Sequence, residues 1–366
     1  MKFWTSKARK REQAEVIAHL TSVKRGRRTD VEDLEPEQDR KPVLAEEEEP
    51  LIVGDAVTTF GSEPWWTPKN WNKLSSAKEM RDLVVQNGVH ADLAVAGTTY
   101  RGRRHQLRGD PNDDSFRIAP LTGVSGSWVV AAVSDGVGSA RYSAIGSPVA
   151  VEHATALIMH SLRKQQNVAI SEYAASVRQQ IVPFLTKLTE AVQQHMQNSL
   201  QEWIASAEYT PPTDIGLKEL QATLTAVAVR AEPNDDGNFD GVLIAIGDSP
   251  ALVLRDGSYR PLLEDRESDG LQATATQGVF GATDANVKTF SLSPHDVLLL
   301  TTDGLASFLM HEGGNTVLGD HIAARWAQPI EATCFARDIS FDLASADDDR
   351  TAIAIWPRTH SSDQTN

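Results

Sequence analysis

One cysteine in 366 residues leaves no intramolecular disulfide framework, which suits a reducing compartment. Cys334 is expected to fill core space on a helix, with a reactive thiol as the alternative reading. No run of ~18 apolar residues occurs, which argues against a membrane-spanning helix. Positive charge is also scarce, since 35 Lys and Arg stand against 50 Asp and Glu, a formal charge of -15. Nucleic-acid phosphates would be repelled by such a surface, so no nucleic-acid partner is expected, and with no spanning run no membrane is expected either. The basic start of the chain has no following apolar stretch of the kind a secretory signal needs, and a cytoplasmic location is expected.

Apolar residues make up 40% of the chain, enough for a sizeable core. The most informative stretch is Trp128-Val-Val-Ala-Ala-Val133 followed by Ser134-Asp-Gly136. It is β-branched, aromatic or small throughout and too short for a globular helix, so it reads as a strand buried on both faces. A carboxylate at the lip of such a strand is held by the sheet, and Gly136 lets a ligand approach the backbone closely. Val297-Leu-Leu-Leu-Thr-Thr-Asp-Gly304 repeats the arrangement. A lone Asp-Gly is also a favoured turn pair, and Asp256-Gly257 reads as a hairpin tip.

Further acids stand at strand ends: Asp113-Asp114, Gly247-Asp248 and Asp347-Asp348-Asp349. Clustering unpaired carboxylates costs repulsion, and hard divalent cations with oxygen ligands are the usual compensation. Beside the first acids lies the basic run Tyr100-Arg-Gly-Arg-Arg-His-Gln-Leu-Arg108, read as a loop that could grip a phosphate through a guanidinium. Simple neutralisation of Asp110, Asp113 and Asp114 is the competing reading of these arginines.

These residues resemble, in order, the bacterial metal-dependent serine/threonine protein phosphatases of the type-2C family. The resemblance runs through His105-x-x-Arg-Gly-x-Pro-x-x-Asp114, Ser134-Asp-Gly136, Leu224-Thr-Ala-Val-Ala-Val229 and Ile246-Gly-Asp-Ser249. It continues through Gly281-Ala-Thr283, Thr302-Asp-Gly-Leu305 and Asp348-Asp-Arg-Thr-Ala-Ile353. It implies an α+β fold, a four-layer αββα sandwich with two central antiparallel sheets. It also implies two Mg²⁺ or Mn²⁺ ions held by Asp114, Asp135 with the Gly136 carbonyl, Asp303 and Asp348, with Asp248 helping to bind a weaker third ion. The reaction implied is hydrolysis of phosphoserine or phosphothreonine in a protein substrate, with Arg108 gripping the phosphate and Arg104 and Arg103 as rivals. A kinase or its target is the partner class that this activity implies. The alternative is a weak or inactive phosphatase-like module that binds a phosphoprotein.

The sequence departs from the family pattern at Pro250, where arginine often follows Gly-Asp-Ser, and at Asp349, where asparagine is usual. The polar segment Glu264 to Gly278 is short where relatives often carry a longer recognition flap. Residues 1–88 are expected to be an extension, with opposite-sign charge blocks that suit mobile chain and a cluster of Trp65, Trp66 and Trp71 that suits packing or docking. The phosphatase domain is expected over 89–358, and 359–366 as a polar tail. Apolar spacing predicts helices over Ser143 to Arg163 and over Ser171 to Ser206 with a break at Pro183, and places His153 and His160 on or near the apolar stripe. Strands are expected over Leu220 to Arg230, Gly241 to Gly247 and Ala251 to Arg255.

Overall fold

The computed structural model describes residues 83–123, 126–164, 169–205, 215–263, 278–311, 313–343 and 345–358. The Trp cluster, the charge blocks, the short polar segment before Gly278 and the 359–366 tail lie outside the described residues. The chain runs through β1 (Leu83–His90), β2 (Leu93–Tyr100), α1 (Arg103–Arg108), β3 (Ser115–Gly123), β4 (Gly126–Ser134), α2 (Ser143–Lys164), α3 (Ile170–Gln179) and α4 (Ile181–Ala205). After a 3-10 turn at Leu217–Leu220 come β5 (Leu224–Arg230), β6 (Phe239–Ile246), β7 (Ala251–Arg255), β8 (Ser258–Pro261), β9 (Asn286–Leu292) and β10 (Val297–Thr301). Then follow α5 (Asp303–Leu309), the two-residue strands β11 (Met310–His311) and β12 (Gly314–Asn315), α6 (Val317–Trp326), α7 (Ala332–Ile339) and β13 (Arg350–Pro357).

Two antiparallel sheets carry the fold, ordered β1-β2-β13-β10-β7-β8 and β3-β4-β5-β6-β9. The double-sided burial expected of β4 has a simple origin in its alternation. Trp128, Val130 and Ala132 face a core shared with α2, α3 and α4, whereas Val129, Ala131 and Val133 face the opposite sheet. β13 does the same: Ala352, Ala354 and Trp356 pack with α5, α6 and α7, while Ile353 and Ile355 enter the inter-sheet layer. Three apolar layers therefore alternate with helices, sheet, sheet and helices. Because both faces of each central strand are buried, polar alternation disappears from the sequence and continuous apolar runs remain.

Local chemistry explains several boundaries. Asp256 and Gly257 both take positive φ, 51° and 76°, at the β7–β8 connection, which matches a type I′ hairpin turn. The helix break expected at Pro183 falls earlier, at Gln180, the residue between α3 and α4. Pro183 is the third residue of α4, where its missing N–H has no intrahelical bond to lose. His153 and His160 are exposed, off the stripe formed by Val149, Ala150, Ala154, Ile158 and Leu162. The basic run expected as a loop is the short helix α1, which ends at Gly109 with φ 74°. β1 straddles the expected boundary at residue 88 and pairs with β2 along its whole length, so residues 83–88 belong to the sheet. Cys334 lies on α7 and is half-buried. Among the described residues no helix is long and apolar enough to cross a membrane.

Candidate active site

Antiparallel pairing gathers the strand-end acids. Ser115 of β3 pairs with Ser134 of β4, so Asp114 and Asp135 flank one sheet end side by side. Leu224 pairs with Ile246, bringing Thr223 and Asp248 to the same end. In the other sheet Thr301 pairs with Ala352 and Tyr100 with Arg350, which brings Asp303, Asp348, Asp349 and α1 together. A hydroxyl lattice joins the two ends. Thr302 Oγ1 donates to Asp114 Oδ2 (2.8 Å) and accepts from the Thr351 amide (3.1 Å), while Thr223 Oγ1 accepts from the Asp135 amide (2.9 Å) and meets Ser249 Oγ (2.7 Å).

The resulting cleft, about 510 Å³, is lined by Asp135, Gly136, Asp248, Asp303, Asp348 and Asp349. Arg104, His105, Arg108 and Arg141 also line it. Asp114 lies beneath, 5% exposed. Its carboxyl and that of Asp303 are within hydrogen-bonding reach of Asp135, and the charges acting on Asp135 are those two acids. Burial first raises both Asp114 and Asp135 well above the usual carboxylate range; the charge of Asp349 adds to it at Asp114, and the charges of Asp114 and Asp303 add to it at Asp135. Gly136 passes so close that a Cβ there would sit 2.7 Å from the Cβ atoms of Asp113 and Ser143.

Asp114, Asp135 and Asp303, which pair with no basic side chain among the described residues, suit a hard divalent cation, which an amine- or thiol-rich set would not. Among the described residues no three His, Cys, Asp or Glu side chains converge as a ready-made cage for one ion. A hydrated cation fits that spacing better than a fully protein-enclosed one, because Mg²⁺-like ions keep several waters and use one or two carboxylates each. The donor set fits the implied ions.

The three neighbouring acids at the start of β13 separate clearly. Asp347 is exposed, and its carbonyl accepts from the Arg104 amide. Asp348, its side chain 50% exposed, lines the cleft and binds Arg104 at 2.9 Å. Burial raises Asp348, Arg104 opposes that, and Asp349 adds to it. Asp349 is turned inward: it accepts from the amides of Gly102 and Asp113, both at 2.6 Å, and from His105 Nδ1 at 2.9 Å. Burial disfavours a charged His105, but the Asp349 bond and the charges of Asp349, Asp113 and Asp348 outweigh it and hold its pKa at about 9. Asp113, mainly through burial, rises to about 6.

The arginines also divide. Arg103 points away to Asp342 (2.8 Å), Arg104 holds Asp348, and Arg108 is exposed in the cleft with no carboxylate partner among the described residues. Sequence reasoning assigned no role to the cleft residues His105 and Arg141, and it did not foresee the pairing of Asp349 with His105. His105 and Asp349 were visible only as motif positions, and their 244-residue separation hid the pair. Arg141, on the turn before α2, carried no signal beyond its charge.

The two layered sheets thus place an acid-lined cleft at their strand ends. Residues 101–334 match the family Protein phosphatase 2C, and the chain belongs to it. No curated protein matches the chain. Among solved structures, the serine/threonine phosphatase of S. agalactiae is similar at 15% identity and TM-score 0.43, over 75% of this chain and 99% of that one. The serine/threonine phosphatase PstP/Ppp of Mycobacterium tuberculosis is similar at 16% identity and TM-score 0.42, over 74% and 100%. The serine/threonine phosphatase Stp1 of Staphylococcus aureus is similar at 13% identity and TM-score 0.44, over 72% and 95%.

Proposed function

We infer that the chain hydrolyses phosphoserine and phosphothreonine in protein substrates, dependent on Mg²⁺ or Mn²⁺. The observation that carries this reading is that Asp135 lies within hydrogen-bonding reach of both Asp114 and Asp303 at a cleft that also presents Arg108. Asp114, Asp135 with the Gly136 carbonyl, Asp303 and Asp348 would hold two ions, and Asp248 with Asp303 a weaker third. Bound there, such ions supply charge neutralisation of the phosphoryl group and acidification of an attacking water.

The chain's own residues do the rest. Arg108 binds phosphate oxygens, and Arg104 orients Asp348 rather than the substrate. His105, kept charged by Asp349, holds a proton at the cleft wall, where a leaving seryl or threonyl oxygen needs one. The part of residues 1–88 that precedes β1 is assigned a regulatory or docking role, since no residue named for the site lies in it. A kinase or its target is the class of substrate protein that fits.

Phosphate release from phosphoserine or phosphothreonine peptides is expected with Mn²⁺ or Mg²⁺ and is expected to vanish on exhaustive chelation. Undiminished turnover after chelation would overturn the metal assignment. Arg108→Ala is expected to raise KM and weaken inhibition by phosphate, with the Mn²⁺ requirement unchanged. Charge-assisted hydrogen bonds are each worth about 1.5 to 3 kcal/mol, so kcat/KM falls roughly ten- to a hundredfold. The same pattern in Arg104→Ala with Arg108→Ala silent would move the phosphate to Arg104.

A further inference from the structure

A second cavity lies on the far face of the β3–β9 sheet, between α2, α3 and α4, and encloses about 180 Å³. Leu157, Ile158, Val177, Phe184 and Ile244 give it apolar walls, with the Tyr173 ring on one side. Tyr173 is 3% exposed, and among the described residues its hydroxyl has no hydrogen-bond partner of ordinary length. Beyond burial, which pushes its pKa to about 12, the Ser161 hydroxyl is the one influence on it. Lys164 and Lys187 line the cavity with His160, both lysines are exposed, and among the described residues no acid contributes. In a chain with 50 acids against 35 lysines and arginines, a cavity with two lysines and no carboxylate has a charge opposite to that of the molecule.

We propose that this cavity binds a small apolar carboxylate, a medium-chain fatty acid or an aryl acid, with its body among Leu157, Val177 and Phe184 and its carboxylate between Lys164 and Lys187. The volume sets the size. A cavity of about 150 Å³ holds a benzene-sized molecule, so one ring or a chain of similar bulk fits, and a nucleotide does not. The charge sets the head group, since an ammonium would meet two like charges and a neutral group would leave both lysines to water. The site is separate from the acidic cleft, and its occupancy does not depend on the phosphatase reading.

Octanoate, octan-1-ol and inorganic phosphate titrated into the full chain by calorimetry test this. Saturable octanoate binding is expected, with octanol at least tenfold weaker and phosphate silent at this site. The double variant Lys164→Ser/Lys187→Ser, altered only at exposed positions, is expected to bring octanoate down to the affinity of octanol. Val177→Trp, which fills the cavity, is expected to remove both. No octanoate binding, equal affinity for acid and alcohol, or octanoate binding unchanged in the double lysine variant would each overturn the proposal. Phosphate binding lost with the two lysines would overturn it too, by showing a plain anion site.

Discussion

Asp135→Asn and Asp303→Asn are each expected to cut phosphopeptide turnover by roughly three orders of magnitude while the chain stays folded. The size follows from the role: a metal site contributes several kcal/mol of transition-state stabilisation, and each 1.36 kcal/mol is tenfold in rate. Retained folding follows from the environment. Asp135 is held against Asp114 and Asp303, and burial with like charge already disfavours its ionised form. An amide of the same shape removes that repulsion, so thermal unfolding of the metal-free variants is expected at or above the wild-type midpoint. Adding Mn²⁺ should raise the wild-type midpoint and leave both variants nearly unmoved, because a ligand stabilises the fold only as far as it binds. Wild-type turnover in either purified variant would remove that residue from the metal set.

Much of this was legible because burial on both faces leaves a plain signature. Trp128 to Val133 and Val297 to Thr301 could hardly be anything but central strands, and their terminal Asp-Gly pairs marked the site. The layers themselves were less legible. Nothing in the alternation of Val129 and Val130 says that one faces helices and the other a second sheet, and only the family resemblance supplied four layers. The failures share one cause, that local pattern does not report tertiary partners. Arg103, Arg104 and Arg108 look equivalent in sequence, yet one turn of α1 sends them to Asp342, Asp348 and the open cleft. Among Asp347, Asp348 and Asp349, the resemblance singled out Asp348 as a metal ligand and marked Asp349 only as a departure from the usual asparagine. The role of Asp349 depends on amides and an imidazole more than two hundred residues away.

Asp349→Asn, measured by urea unfolding in chelator, is expected to destabilise the metal-free chain strongly at pH 6 and much less at pH 9.5. His105 carries the pH dependence. Its folded pKa of about 9 lies above the ordinary imidazole value of 6.5, so the stability it contributes is fully present below pH 6.5 and is lost as pH rises through about 9. That shift corresponds to on the order of 3 kcal/mol. Removing the Asp349 charge leaves burial to act on the imidazole unopposed by its main partner, and most of that contribution goes. The second loss is independent of pH. Two amide donors and His105 meet the two Asp349 oxygens, and an asparagine has one oxygen, so a buried donor is left unpaired at a cost of about 1 to 3 kcal/mol. Asp113, raised to about 6, loses its own contribution as pH rises through that value, below the window in which His105 titrates. The wild-type advantage should therefore be on the order of 4 to 6 kcal/mol at pH 6 and fall to about 1 to 3 at pH 9.5, as the His105 contribution disappears and the unpaired donor remains. A gap of constant size across that range would mean that His105 is neutral in the folded chain and that Asp349 acts only as a backbone clamp.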